Sequence, residues 1–110
     1  MTGQHIVRGV RGQIDGIFEY IALHDSEAAQ LVVDRIYKVI DLVTERPRIG
    51  RRTLERGVRM YYVVKPYPYI VFYRYVSRRD QVRIIRVRHG AQRRAGLADE
   101  AVEFRAAAIS

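Results

Sequence analysis

A chain of 110 residues can bury one hydrophobic core, so we expect a single domain over residues 1–110. The absence of cysteine excludes disulfides and thiolate metal sites, and the three histidines lack metal-ligand spacing, so no metal or other cofactor is expected. No apolar run approaches the roughly 20 residues that cross a bilayer, which argues against a membrane location. Because the N-terminus also lacks a signal-peptide pattern, the expected location is the cytoplasm.

The net charge of +8 is unevenly distributed along the chain. Residues 1–45 carry four basic and seven acidic side chains, a net charge of −3, whereas residues 46–110 carry sixteen basic and five acidic ones, a net charge of +11. This asymmetry indicates an anionic partner for the second part of the chain, either nucleic acid or an acidic protein surface. A solvated basic surface without a ligand is the alternative.

The first elements in chain order are a short strand over residues 5–9 and two helices. Ile14, Ile17, Phe18 and Ile21 fall on one face of the first helix, although glycines at positions 12 and 16 weaken it. Asp25 or Ser26 can cap the second helix. Its apolar positions form a continuous stripe from 28 to 44: Ala29, Val32, Val33, Ile36, Val39, Ile40 and Val43. The short linker predicts an antiparallel helical hairpin.

Three strands rich in valine, isoleucine and tyrosine follow, over residues 58–64, 69–76 and 82–88, separated by short turns. A final helix is expected near residues 97–107, in a C-terminal helical tail over 95–110. The predicted fold is therefore α+β, with a helical hairpin on one face of a small twisted antiparallel sheet in the order β-α-α-β-β-β, plus the C-terminal helix. The other face of the sheet is expected to be open.

Alternation along the central strand predicts which side chains occupy that open face. We expect Tyr69, Val71, Tyr73 and Tyr75 on the open face and Ile70, Phe72 and Val76 against the helices. Such tyrosines, with arginines nearby, would suit a protein-binding surface. The alternative is an inner layer in which tyrosine rings cover the core and keep their hydroxyls wet.

Several segments, in order, resemble the RelE/ParE toxin superfamily of type II toxin–antitoxin systems, and more closely its ParE-like branch. The similarity covers roughly residues 10–94. It is carried by five segments: the acidic first helix at 15–21, the start of the second helix at 25–29, the Arg-Pro-Arg-Ile-Gly-Arg loop at 46–51, the Tyr-Pro-Tyr-Ile-Val-Phe-Tyr strand at 67–73, and Ile-Arg-Val-Arg-His-Gly at 85–90. Arg88 departs from the apolar residue that usually precedes the histidine.

The resemblance implies the toxin of a plasmid-stabilisation type system, neutralised by a ParD-like antitoxin with an acidic tail. ParE-like members inhibit DNA gyrase, whereas RelE-like members are ribosome-dependent mRNA endoribonucleases. Lys65 is the only lysine after residue 45, and arginine binds phosphate well but donates protons poorly, so the residues favour the gyrase-binding, non-enzymatic interpretation.

Under that interpretation, the residues expected to bind the target or the antitoxin are Arg59, Tyr69, Tyr73, Arg74, Tyr75, Arg86, Arg88, His89, Arg93 and Arg94. Under the alternative, a metal-independent nuclease acting on mRNA at the ribosome, His89 would act as acid or base with Arg59, Arg74 and Arg86 around the phosphate. Two of these residues also have a structural interpretation, in which His89 caps the sheet and Arg86 forms an ion pair with a carboxylate such as Asp15 or Glu19.

Overall fold

In the computed structural model, which describes residues 1–63 and 68–90, two helices form the predicted hairpin. Helix α1 spans Val10–Ala22 and α2 spans Ser26–Glu45. Asp25 caps α2 by accepting a hydrogen bond from the Ala28 amide at 3.0 Å, which confirms the predicted start of this helix. The stripe that α2 buries against the sheet contains Ala29, Val32, Ile36, Ile40 and Val43.

Five strands form one sheet in the order β1-β5-β4-β3-β2. They are β1 (Gly3–Ile6), β2 (Arg51–Arg52), β3 (Val58–Val63), β4 (Tyr69–Val76) and β5 (Gln81–His89), and a 3-10 turn, Ser77–Arg79, joins the last two. The α+β class and the antiparallel meander of β3, β4 and β5 are confirmed. Residues 65–67 of the turn predicted at 65–68, and the C-terminal helix, lie outside the described residues.

The N-terminal strand differs from the prediction in position and direction. It ends at Ile6, because Gly9, with a φ of 96°, turns the chain directly into α1. It pairs with β5 in parallel, so the sheet is mixed rather than wholly antiparallel. The helical hairpin supplies the crossover that a parallel pair requires. The short strand β2 at the opposite edge was not predicted.

A β-bulge in β5 determines which side chains face the helices. Phe72 pairs with Arg86 and Tyr73 with Ile84, so Ile85 is an extra residue on this strand. The bulge lets Ile84 and Val87, three residues apart, both enter the core beneath the helices. Arg86, paired with Phe72, then faces the opposite side of the sheet, and Ile85 packs against the cluster there.

The predicted faces of the central strand are wrong. Tyr69, Val71 and Tyr73 belong to the core shared with the helices and are at most 3% exposed. Ile70 and Phe72 lie on the opposite side with Val58 and Met60, in a second buried cluster. We call this side, carrying Val58, Met60, Ile70, Phe72 and Ile85, the second face of the sheet. Because apolar residues occupy both parities of this strand, alternation alone could not identify the inner one.

Candidate macromolecule-binding surface

The second face carries a bridged pair of arginines beside its apolar cluster. Glu55, in the loop between β2 and β3, accepts hydrogen bonds from Arg74 at 3.2 Å and from Arg86 at 3.3 Å. The Arg86 guanidinium also lies 4.3 Å from the centre of the Phe72 ring, within cation–π range. Arg74 donates in addition to the Arg56 carbonyl at 2.9 Å. These contacts hold the β2–β3 loop against the second face.

The ion pair of Arg86 corrects a predicted partner. Asp15 and Glu19 were the expected carboxylates, but both lie on α1, which packs on the other side of the sheet. Arg86 forms its ion pair with Glu55 instead, because the β2–β3 loop that carries Glu55 reaches the second face. All three side chains of the network keep some exposure, 41% for Arg74, 43% for Glu55 and 20% for Arg86, so solvent screens the pairs.

Arg59 faces the helix side of the sheet. It pairs with Tyr73 in the antiparallel register, and directly paired residues share a face. Its guanidinium donates to the Gly50 carbonyl at 2.8 Å and the Arg48 carbonyl at 3.3 Å. Arg59 thus fastens the loop that follows α2, away from Arg74 and Arg86.

The three predicted tyrosines also lie on the helix side. Tyr73 is 0% exposed, and its hydroxyl donates to the Pro47 carbonyl at 2.9 Å while accepting from the Gly50 amide at 2.8 Å. Burial raises the pKa of Tyr73 above its ordinary value of 10.0. A Cβ added at Gly50 would fall 2.5 Å from that hydroxyl, so this close approach requires glycine. Tyr73 therefore ties the loop at 46–50 to the sheet.

Tyr75 lies nearer the surface than Tyr73. Its ring packs against the core beneath the helices, and the Arg48 guanidinium lies 5.4 Å from the ring centre. Its hydroxyl donates to Asp80 at 2.9 Å, and this hydrogen bond raises the pKa of Tyr75. The prediction that these tyrosines lie on the open face of the sheet is therefore wrong. The structure agrees better with the alternative, an inner layer of tyrosine rings that cover the core. It differs from that alternative at Tyr73, whose hydroxyl is buried and not in contact with solvent.

His89, the last residue of β5, contacts Tyr69 edge to face, with the two ring centres 4.9 Å apart. The two residues are register partners, which places His89 on the helix side of the sheet. Arg88 pairs with Ile70 and therefore lies on the second face, half-buried. The four residues of the nuclease alternative are not gathered on one surface, because Arg74 and Arg86 occupy one face and Arg59 and His89 the other. Arg93 and Arg94 lie outside the described residues.

Comparisons with known proteins agree with this architecture. A family model described as the ParE toxin of the type II toxin–antitoxin system parDE matches residues 7–94. The chain belongs to the ParE toxin family. Among curated proteins, none matches this ParE-family chain significantly.

Solved structures show that this ParE-family chain shares its fold with both branches of the superfamily. A chain of the chromosomal ParDE system of P. aeruginosa is 21% identical, with a TM-score of 0.67 over 81% of this chain and 96% of that one. A chain of the intact E. coli RelBE toxin–antitoxin complex is 13% identical, with a TM-score of 0.63 over 84% and 100%. The isolated E. coli RelE toxin is 16% identical, with a TM-score of 0.62 over 94% and 98%.

Within residues 1–63 and 68–90, no group of three or more histidine, aspartate or glutamate side chains is placed to hold a metal ion. In the same part of the chain, no helix combines the length and the apolar character needed to cross a membrane.

Sequence reasoning missed a basic cleft at one end of the sheet. Its lining includes Arg48, Arg52, Arg56 and Arg59 together with Tyr75. A signal for it was present, because residues 46–56 contain five arginines in eleven positions. The segment was interpreted as a family motif and a loop, and its charge density was not treated as a site.

Proposed function

We propose that this ParE-family toxin arrests growth by binding DNA gyrase in the cytoplasm, without cutting RNA, and that it belongs to a system of the plasmid-stabilisation type. The observation that carries the proposal is the match of residues 7–94 to the ParE toxin family. The distribution of the charged side chains gives physical support, since it suits binding better than catalysis.

RNA cleavage through the 2′-hydroxyl needs a base, an acid and cations around the same phosphate. Here the sheet separates His89, on the helix side, from Arg74 and Arg86 on the second face. Arg74 and Arg86 are also already bridged by Glu55. Arg59 also lies on the helix side, so it cannot join Arg74 and Arg86 around one phosphate. This arrangement favours a protein-binding toxin over a nuclease.

An antitoxin with an acidic, ParD-like tail is the proposed inhibitor. Two of the similar structures belong to toxin–antitoxin systems, ParDE and RelBE. We propose that the acidic tail contacts the basic second part of the chain, including Arg74, Arg86 and Arg88, and Arg93 and Arg94 beyond the described residues. Strand β2, an edge strand whose two arginines are exposed, offers backbone groups to which the tail can add a strand.

The target proposal is tested by a supercoiling assay run in parallel with translation-coupled mRNA cleavage. The toxin should inhibit gyrase and leave mRNA intact. Cleaved mRNA with unaffected gyrase would overturn the proposal and favour the ribosome-dependent nuclease. Full gyrase activity in the presence of the toxin would also contradict the proposal.

The binding surface is tested with charge reversals. Arg88→Glu, on the second face, should weaken both gyrase inhibition and antitoxin binding, because it replaces a cation with a repelling charge at the proposed contact. Lys38→Glu on α2 makes the same change of charge on an exposed position of the helical side and is the matched control. Equal effects of the two variants would contradict the assignment of the surface.

The antitoxin proposal has its own test in expression. The toxin should arrest growth when produced alone and should accumulate in good yield only with the cognate antitoxin. Unimpaired growth of cells that contain folded toxin without antitoxin would overturn the assignment of an active toxin, independently of which target it binds.

A further inference from the structure

A cleft of about 590 Å³ lies where β3 begins and β4 ends, between the loop that follows α2 and the β2–β3 loop. Its lining includes four arginines, Arg48, Arg52, Arg56 and Arg59, together with Tyr75 and Ser77. The cleft is separate from the Arg74–Glu55–Arg86 network, which lies on the second face. Of the residues that line the cleft, the function proposed above involves only Arg52, through the backbone of strand β2.

The cleft has one sign of charge. None of its lining residues is acidic. The nearby carboxylate of Glu55 is bound to Arg74 and Arg86, and that of Asp80 accepts hydrogen bonds from Thr2 and Tyr75. Arg52 and Arg56 are exposed, and neither forms an ion pair with a carboxylate of the described residues. Low-dielectric walls that carry a single charge sign concentrate an oppositely charged ligand.

Part of this charge is preorganised. Two backbone carbonyls hold the Arg59 guanidinium, and the Tyr75 ring supports that of Arg48 at 5.4 Å. Thr53 fixes the β2–β3 loop, because its hydroxyl lies 3.0 Å from the Val58 carbonyl and accepts from the Glu55 amide at 3.2 Å. A ligand that enters the cleft therefore meets two cations, Arg48 and Arg59, whose positions are already largely fixed.

We propose that this cleft binds the phosphodiester backbone of a nucleic-acid strand. Guanidinium groups match phosphate oxygens in charge and in planar fork geometry. The plane of Arg48, supported by Tyr75, offers a stacking surface for an unpaired base. An acidic peptide needs apolar anchors to offset the cost of ordering its chain. The cleft lining contains two aliphatic side chains, Leu54 and Val58. Val58 is only 1% exposed, so a peptide could cover Leu54, which is 59% exposed, but not Val58.

The test is a titration of labelled oligonucleotides by fluorescence anisotropy at several salt concentrations, with toxin separated from its antitoxin and refolded. If four phosphates are neutralised on a single strand, log K should fall with log salt with a slope of about −2.8, since each contact contributes about −0.7. An Arg52→Gln/Arg56→Gln variant should reduce this slope by about half and weaken binding at low salt. Circular dichroism verifies that each variant is folded.

The matched control is Arg8→Gln/Lys38→Gln, which removes the same charge from exposed positions outside the cleft and should change the slope little. Single-stranded RNA, single-stranded DNA and duplex DNA form separate arms, and the tightest of them identifies the strand. Equal losses in the cleft variant and the control would overturn the proposal. A second result would also overturn the proposal. This is an oligoglutamate peptide of the same charge that binds as tightly as the nucleic-acid strand and whose binding is weakened equally by the Arg52→Gln/Arg56→Gln variant. Gyrase is absent from this measurement, so its outcome is independent of the proposed target.

Discussion

The hydroxyl of Tyr73 is the polar group on which the loop at 46–50 most depends. It is buried, donates to the Pro47 carbonyl and accepts from the Gly50 amide. Tyr73→Phe keeps the ring but leaves that amide without its partner, so we expect a loss of about 1–3 kcal/mol in the free energy of unfolding, measured with urea. Tyr75→Phe, whose hydroxyl bonds to exposed Asp80, is the control and should cost less. Equal losses would contradict this role of Tyr73.

The same hydroxyl predicts a pH dependence. Burial raises the pKa of Tyr73 above 10.0, its value in the unfolded chain. The unfolded state therefore loses this proton first as the pH rises, and the folded protein should lose stability from about pH 10 upward, until the folded pKa is passed. Urea midpoints measured from pH 8 to pH 11 should fall more steeply for the native protein than for Tyr73→Phe. Parallel curves for the two proteins would show that another group is responsible.

Side-chain environments were the least predictable part of the candidate site. The sequence identifies Tyr69, Tyr73 and Arg86 as unusual residues, but it does not say on which face of the sheet they lie. The inner and outer parities of β4 are both apolar, and the bulge at Ile85 changes the parity of β5. The partner of Arg86 depended on where the β2–β3 loop lies, and no local pattern of charge encodes that position.

At the scale of elements, helix α1 is weakened by its own glycines. Gly12 and Gly16 lie on its exposed side, and a Cβ added at either would meet no atom within 4 Å. Gly12→Ala and Gly16→Ala should each stabilise the protein by about 0.5–1 kcal/mol, because alanine loses less backbone entropy in a helix. Thermal unfolding of the single variants and of the double variant measures the gain.

Gly9, which precedes α1, is the control position, because replacing this glycine with alanine should lower the stability instead of raising it. Its φ of 96° lies in the left-handed region, so Gly9→Ala should destabilise the protein by about 1 kcal/mol although no atom lies within 4 Å of the added Cβ. Destabilisation by Gly12→Ala or Gly16→Ala would contradict the open space around these two positions.

The helices and the three long strands were predictable because each carries a strong local pattern. The apolar stripe of α2 and its Asp25 cap define the longest helix, and runs rich in valine, isoleucine and tyrosine, bounded by turns, define β3, β4 and β5. The two edge strands were harder. Strand β2 has two residues, both arginine, and β1 is polar, so neither contains the alternation that marks a strand.

At the scale of the whole molecule, the boundary between the acidic and the basic part of the chain is also the boundary between the helical hairpin and strands β2 to β5. The α1–α2 hairpin falls within residues 1–45, which have a net charge of −3, whereas strands β2 to β5 fall within residues 46–110, which have a net charge of +11. The asymmetry was visible in the sequence, and the fold converts it into an acidic helical layer and a basic sheet. What the sequence did not reveal is that some of the arginines bind groups of the chain itself, such as Glu55 and the carbonyl of Gly50.

This polarity predicts how the toxin meets an acidic antitoxin. Attraction over distances longer than the Debye length is screened by salt, whereas contacts already formed are screened much less. The association rate constant should therefore fall by about tenfold or more between low and high salt, while the dissociation rate changes far less. Stopped-flow fluorescence with the cognate antitoxin measures both rates.

Charge-neutralised variants then locate the attraction on the molecule. Arg51→Gln/Arg52→Gln, at the exposed sheet edge, removes two charges from the basic layer and should slow association and flatten its salt dependence. Asp34→Asn/Asp41→Asn, on the exposed side of α2, removes two charges of the opposite sign from the helical layer and should leave association unchanged or make it slightly faster. Two results would contradict this prediction: an association rate constant that does not change with salt concentration, or one that falls equally in both variants. Either result would mean that the charge asymmetry does not accelerate binding of the antitoxin and that apolar contacts determine the association rate.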